Sequence, residues 1–258
     1  MRRRLCLRSA LLGILTMCAT PAYSDALVAV AANFSEVAAR LAHDFHAQSG
    51  HNVRFSIGST GQFYAQIARG APYDVLLAAD QARVARLEAS GLAVPGSRFT
   101  YARGRLVLWS ADSALIDSAT PARAAKQLLR AGTFRNLAIA NPELAPYGQA
   151  AKEVLDALGL GPNFHDRLAI GQNIGQVFSM VATGNAELGF VALSYVRSQR
   201  NRQKGSAWEV PTGLHAPILQ DAVLLLHGEK NEVAVAFLRY LKSAEAKAQI
   251  VRFGYEPS

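Results

Sequence analysis

Thiols are nearly missing from this chain. Its two cysteines, Cys6 and Cys18, both fall within the first 18 residues. Beyond them the sequence offers no disulfide, no cysteine nucleophile and no cysteine metal site. Long apolar runs are missing too. No segment past the N-terminus holds 18 consecutive apolar residues, so no membrane-spanning helix is predicted. Charge is sparse at 18% of residues while half are hydrophobic, a balance that argues against a mostly disordered chain. The 258 residues suffice for one or two domains with a large buried core.

Recognisable catalytic apparatus is also absent. There is no H-E-x-x-H, and no G-x-G-x-x-G follows a predicted strand. Gly58-Ser59-Thr60-Gly61 is not a nucleophile elbow, because Ser59 directly follows the first glycine. It is not a P-loop either, because no lysine follows. Of the six histidines, His43 and His46 face one side of the first predicted helix, with no third ligand at metal spacing. His51, His165, His215 and His227 are scattered over loops and strand ends. Asp74 and Asp80 bracket a strand, as turn and cap residues commonly do. No nucleophile–base pair emerges, so the chain reads as a binding protein and not an enzyme. An exported hydrolase using Asp74, Asp80 or a histidine is the alternative from another class.

The N-terminus carries Arg2, Arg3, Arg4 and Arg8 ahead of the short apolar run Ala10–Met17, which falls well below the roughly 20 residues that span a bilayer. Ala22-Tyr23-Ser24 then places small residues where a signal peptidase reads them. Residues 1–24 are therefore predicted to be a secretory signal peptide cleaved before Asp25. Met17 is large where a lipoprotein signal needs a small residue, so no lipid anchor at Cys18 is predicted. Cleavage removes four arginines and no acidic residue, halving the formal net charge from +8 to +4. It also removes both cysteines. The densest remaining basic cluster, Arg197, Arg200, Arg202 and Lys204, is interleaved with Asn201, Gln203 and Gly205 and with no aromatic. That composition describes a solvated loop and not a nucleic-acid surface.

Along the rest of the chain, strand-like and helix-like segments alternate. The predicted strands are 26–31, 53–57, 75–79, 106–109, 137–140, 169–170, 188–192 and 222–226. The predicted helices include 34–49, 60–68, 81–89, 121–129, 148–158, 174–183, 233–241 and 245–253. This rhythm predicts an α/β fold, with parallel sheets covered by helices on both faces.

Three helix starts share one pattern. Asn33 with Glu36, Ser59 with Gln62, and Asn173 with Gln176 each place a capping residue three positions before an acidic or amide side chain, as in a capping box. A fourth start, Pro146-Tyr147-Gly148, has no side-chain cap. A cap needs no ligand to justify it, being worth about 1 kcal/mol to its helix. Position raises the significance of these starts, because ligands of open α/β sheets sit beyond the carboxyl ends of strands, where helix N-termini point. Each terminus offers unpaired N–H donors and about half a positive charge. Converging from two lobes, the four would bind an anion without lysine or arginine. A doubly charged oxyanion, an acceptor on every side, suits such a set.

Five stretches resemble one known family: VAVAANFSEVAARLA (28–42), FSIGSTGQFYAQIARGAPYDVLLAAD (55–80), LAIANPELAPYGQAAKEVLDALG (137–159), GQNIGQVFSMVATGNAELGFVALS (171–194) and FLRYLKSAEAKAQIVRFGY (237–255). They are similar, in order, to the periplasmic molybdate-binding proteins of ABC importers. That resemblance implies a two-lobed type II periplasmic-binding-protein fold, with two mixed, mainly parallel sheets flanked by helices and a cleft between lobes. Lobe one would comprise 25–103 and 222–258, and lobe two 104–221, with crossing segments near Arg103 and Gln220. It implies molybdate or tungstate as ligand, no cofactor and no direct metal ligand, an ABC permease as partner, and a monomeric periplasmic receptor. Another oxyanion, such as sulfate or phosphate, is the alternative. The ligand positions carried over are Asn33, Ser59, Tyr147 and the backbone N–H of Ile174, with Ala32 and Thr60 in reserve. A tyrosine that can bind the anion in the family falls on Ala192 here, so that contact is missing and the Tyr147 hydroxyl is the expected substitute.

Overall fold

A computed structural model describes residues 25–257 except 199, 200 and 202. The predicted leader with Cys6 and Cys18, residues Arg200 and Arg202 of the basic cluster, and the side chain of His165 lie outside the described residues.

The first third of the chain repeats one unit. β1 (Ala26–Ala31) runs through a 3-10 turn (Ala32–Phe34) into α1 (Ser35–Ser49). β2 (Val53–Gly58) leads into α2 (Thr60–Ala68), and β3 (Val75–Leu77) into α3 (Ala82–Ala89). β4 (Phe99–Gly104) and β5 (Leu106–Ser110) then carry the chain out of this body. A second body follows: α4 (Pro121–Ala131), β6 (Leu137–Ala140), α5 (Pro146–Ala157), β7 (Leu168–Gly171), α6 (Ile174–Ala182), β8 (Leu188–Ala192), the single turn α7 (Leu193–Val196) and β9 (Ser206–Glu209). β10 (Ile218–Leu224) returns to the first body, which α8 (Glu232–Leu241) and α9 (Ala244–Arg252) complete.

The two sheets have the same plan. The first is ordered β2-β1-β3-β10-β4 and the second β7-β6-β8-β5-β9. In each, one strand is antiparallel to both its neighbours, β10 in the first and β5 in the second, and the other four share a direction. These are the mixed, mainly parallel sheets the sequence implies. β1 and β5 are almost wholly apolar, as sheets covered on both faces require. Ala26–Ala31 and Leu106–Ser110 are almost entirely buried.

Several boundaries differ from the sequence prediction. β3 stops at Leu77 because Ala78 donates its N–H to Asp221 O and Ala79 donates to Thr60 Oγ1. β10 begins at Ile218, so the position 222 expected for the return falls inside a strand already paired with β4. β4 and β9 were not predicted. Both are half-polar edge strands, FTYARG and SAWE, without the continuous apolar run that marks a central strand.

Glycines set the closest approaches. Gly148 lies in the first turn of α5, where a Cβ would overlap the carbonyl oxygen of Ala140. The helix therefore starts hard against the end of β6. Gly61 in the first turn of α2 approaches the second body, and its Cβ would lie 2.9 Å from both Cα and O of Leu144. Its N–H donates to that same oxygen at 2.8 Å. Gly148→Ala is expected to cost about 1–3 kcal/mol through overpacking against backbone, read as a lowered thermal midpoint. A wild-type melt for this variant would mean that α5 does not start against β6.

Candidate functional site

The carboxyl ends of β1, β2 and β3 in one sheet and of β6 and β7 in the other meet at a small, partly open cavity. Twelve residues line it: Ala31, Ala32 and Asn33 after β1, Gly58, Ser59 and Thr60 after β2, Ala79 after β3, Ala145, Pro146 and Tyr147 after β6, and Asn173 and Ile174 after β7. All six residues singled out from the sequence, Asn33, Ser59, Tyr147, Ile174, Ala32 and Thr60, are brought together here. No lining residue is charged. A larger, open groove adjoins the cavity through Ala79 and Pro146, and there Asp80, Arg83, Glu143 and Glu153 collect. Charge therefore stands at the mouth and not inside.

The capping box expected at Ser59 forms. Ser59 Oγ accepts from Gln62 N–H at 3.4 Å, and Gln62 Oε1 accepts from Ser59 N–H at 3.1 Å. The box occupies the serine N–H and leaves its hydroxyl proton to be donated elsewhere. At Asn173 the box is half formed: Oδ1 accepts from Gly175 and Gln176 N–H, whereas Gln176 Oε1 takes Gln172 N–H instead of that of Asn173. α5 begins with Pro146 and no side-chain cap, as expected. The first N–H groups of a helix have no carbonyl one turn back. Among the described residues, no hydrogen bond outside the helices and strands is donated by the N–H of Thr60, Tyr147 or Ile174.

The capping box expected at Asn33 does not form. Asn33 sits inside the 3-10 turn, α1 starts at Ser35, and neither start has a side-chain cap. The Asn33 amide instead donates to Gln220 Oε1 at 2.9 Å and to Tyr255 Oη at 3.0 Å. Both partners are far away in sequence, so the residue reads locally as a cap although long-range bonds engage it. Glu36, its expected box partner, accepts from Ser198.

Carbonyls of the same turn are held by hydroxyls. Tyr195 donates to Ala32 O at 2.5 Å, and Ser194 and Tyr255 donate to Asn33 O at 2.8 and 2.6 Å. In a trans peptide the N–H opposes the C=O, so the Asn33 N–H points away from Tyr195, which does not line the cavity. Ala192 is a buried strand residue, as the sequence implies, and Tyr195 three positions on secures the turn from outside. Its hydroxyl passes Gly175, where a Cβ would lie 2.8 Å from it. Its ring stacks on Phe178, 5.1 Å between centroids, which in turn stacks on Trp109 at 4.9 Å.

Tyr147 differs from the role expected of its hydroxyl. Its backbone borders the cavity, but its Oη accepts from Gln220 Nε2 at 3.3 Å beside Gly104, and neither Gln220 nor Gly104 lines the cavity. The ring reaches past the site to the strands that cross between bodies. Sequence reasoning placed Gln220 only near a crossing. The signal that could have marked it is a glutamine beside an aspartate, Gln220-Asp221, opening a run that is otherwise apolar.

Among the described residues, no group of three or more His, Cys, Asp or Glu could hold a metal. His43 and His46 are exposed on α1, and His43 pairs with Asp44. Asp74 is a buried tie accepting from Leu27 N–H, His227 and Asn231. Asp80 accepts from Arg83 at the groove.

Comparison with known proteins follows this geometry. A family model described as bacterial extracellular solute-binding protein matches residues 26–256. The molybdate-binding protein ModA of Azotobacter vinelandii is 46% identical over 241 residues, covering 93% of each chain. That of Rhodobacter capsulatus is 44% identical over 234 residues, covering 91% of this chain and 89% of the relative. The solved structure of the Azotobacter vinelandii periplasmic molybdate-binding protein superposes with a TM-score of 0.85 at 39% identity, over 91% of this chain and all of that one.

Burial pushes the Tyr195 phenol up to about 12 and holds those of Tyr147 and Tyr255 well above the ordinary tyrosine value. The folded protein therefore keeps protons that the unfolded chain releases above a pH of about 10. Stability is expected to be unaffected by these groups below pH 10 and to fall as pH rises from there through 12. A melting series read together with phenolate absorbance checks this. Full tyrosine ionisation at pH 10 with the fold intact would refute it.

Proposed function

The chain belongs to the bacterial extracellular solute-binding proteins, and from that membership we propose that it captures molybdate and delivers it to an ABC permease. The observation that carries the reading is a small cavity with no charged residue in its lining, where helix and turn starts from both sheets meet with unpaired donors. Asn33 N–H, Ser59 Oγ–H, and the N–H groups of Thr60, Tyr147 and Ile174 are the proposed contacts, with Ala32 in reserve. Helix N-termini supply the positive potential. Molybdate is a fully deprotonated dianion at neutral pH and only accepts hydrogen bonds. Phosphate retains a proton and needs an acceptor, and no carboxylate lines the cavity. Tungstate has the same charge and nearly the same size, and we propose that it binds as well.

The first body, through β4 and again from β10 onwards, is proposed as lobe one and the residues between as lobe two, closing on the anion by hinge motion. Contacts between the two bodies agree with a closed state: Gly61 N–H to Leu144 O, Arg83 to Glu143 O, Tyr195 to Ala32 O and Ser194 to Asn33 O. The closed form is what a permease would read. The mature protein is proposed to work as a monomer in the periplasm after loss of residues 1–24, without a lipid anchor at Cys18 and without catalysing a reaction.

Anion binding to the folded state raises the melting temperature by mass action. Micromolar molybdate or tungstate is expected to raise that of ligand-free protein, and sulfate or phosphate to leave it nearly unchanged. No shift with either metal oxyanion would refute the reading. Ser59→Ala removes one hydrogen bond to a charged group, worth about 1.5–3 kcal/mol, and is expected to weaken binding by about 10- to 150-fold in calorimetric titration. Wild-type affinity in this variant would remove Ser59 from the site.

A further inference from the structure

Gln220 is fully buried, with 0% exposure, in a strand whose register shifts between it and Asp221. The shift turns two consecutive polar side chains into separate networks. Asp221 accepts from Arg98 Nε at 2.5 Å and Thr100 Oγ1 at 2.7 Å. Gln220 serves the cavity side. Its Oε1 lies 2.9 Å from Asn33 Nδ2 and 3.0 Å from Tyr101 Oη, and its Nε2 donates to Tyr147 Oη at 3.3 Å. Gly104 leaves the room for this: a Cβ there would lie 2.7 Å from Nε2 and overlap the Tyr147 hydroxyl.

Asn33 and Tyr147 line the cavity from opposite sheets. Gln220 touches both without lining the cavity itself, and it sits on the strand by which the chain crosses back. One amide thus bonds a wall residue from each body, accepting from one and donating to the other. A side chain without an N–H could keep both contacts only if the Tyr147 hydroxyl turned to donate instead of accept. We infer that Gln220 is the positioning residue that holds the two walls of the anion cavity in register, so that the affinity of the closed state depends on an amide the anion never touches. This rests on the proposed oxyanion-binding function.

The test is calorimetric titration of the mature protein with molybdate, for wild type and for Gln220→Met and Gln220→Glu, alongside melting of the anion-free proteins. Methionine fills similar volume but removes the acceptor of one Asn33 amide N–H, which leaves only Tyr255, and the donor to the Tyr147 hydroxyl. Leaving buried polar groups unsatisfied predicts about 10- to 100-fold weaker binding. Gln220→Glu provides the reading that a merely structural role would not move. As a carboxylate it can only accept, and it brings negative charge behind the cavity. Once protonated it again accepts with one oxygen and donates with the other. A carboxyl buried this way titrates above the ordinary range. Affinity of this variant is therefore expected to recover towards wild type as pH falls from 8 to 5.5, while wild type stays flat.

Wild-type affinity for Gln220→Met, or a Gln220→Glu deficit independent of pH, would overturn the inference and leave the oxyanion reading standing. Variants that only melt earlier, with unchanged affinity below their transition, would likewise reduce Gln220 to a structural residue. Failure of wild type to bind molybdate would overturn the functional reading and this inference with it.

Discussion

A dianion leaves water only where each of its oxygens meets donors that are already dry and already unpaired, because desolvating an ion without compensation costs several kcal/mol or more. The cavity meets that demand with no cation in its lining. Helix starts leave backbone N–H groups unmatched as a matter of geometry and aim several of them at one point. Most of the architecture can be traced to bringing such starts together. Four of the five strands of each sheet run in a common direction, so that their carboxyl ends share one edge. The two edges then face each other, and glycine at 61 and 148 lets backbone reach backbone.

Uncharged donors work only if they do not turn towards other acceptors. The site therefore carries a second layer whose task is aim. The carbonyls of Ala32 and Asn33 are held by Tyr195, Ser194 and Tyr255, which fixes the N–H directions of the same turn by the rigidity of the peptide plane. Ser59 is aimed by Gln62, and the first turn of α6 by Asn173. Burial keeps the phenols neutral, so this layer adds no charge that would repel the anion. The layer also spans the two bodies, so the geometry of the cavity walls depends on the contacts between them.

The sequence made legible what depends on neighbours along the chain. Ser59 and Gln62 are three residues apart, and their mutual capping is written in those residues alone. The alternation of strands and helices followed from apolar runs and helical spacing, and the six cavity residues from their places after strands together with family resemblance. Asn33 shows where local reading stops. Its pattern with Glu36 is that of a cap, but Gln220 and Tyr255 compete for its amide from 187 and 222 residues away. Tyr147 is similar: the sequence places its backbone at the site but cannot say which way the ring leaves. β4 and β9 escaped because edge strands are not buried on both sides and so carry no apolar run. Gln220 escaped because a lone buried amide has no local signature, only a set of distant partners.

The interrupted layout of the first sheet also has a chronology. β10 stands between β3 and β4 and pairs with both, but it is made only after every strand of the second sheet, β5 to β9. Until Leu224 has been synthesised, β3 has an open edge and β4 has no neighbour. The cover from α8 and α9 comes later still. Pairings across so many residues are slow to form. The half of the molecule that holds Asn33 and Ser59 is thus unfinished for almost the whole of translation, while the inserted half is complete by Glu209. A chain laid out in this order completes its leading sheet last, and the last strand to appear is the one that carries Gln220.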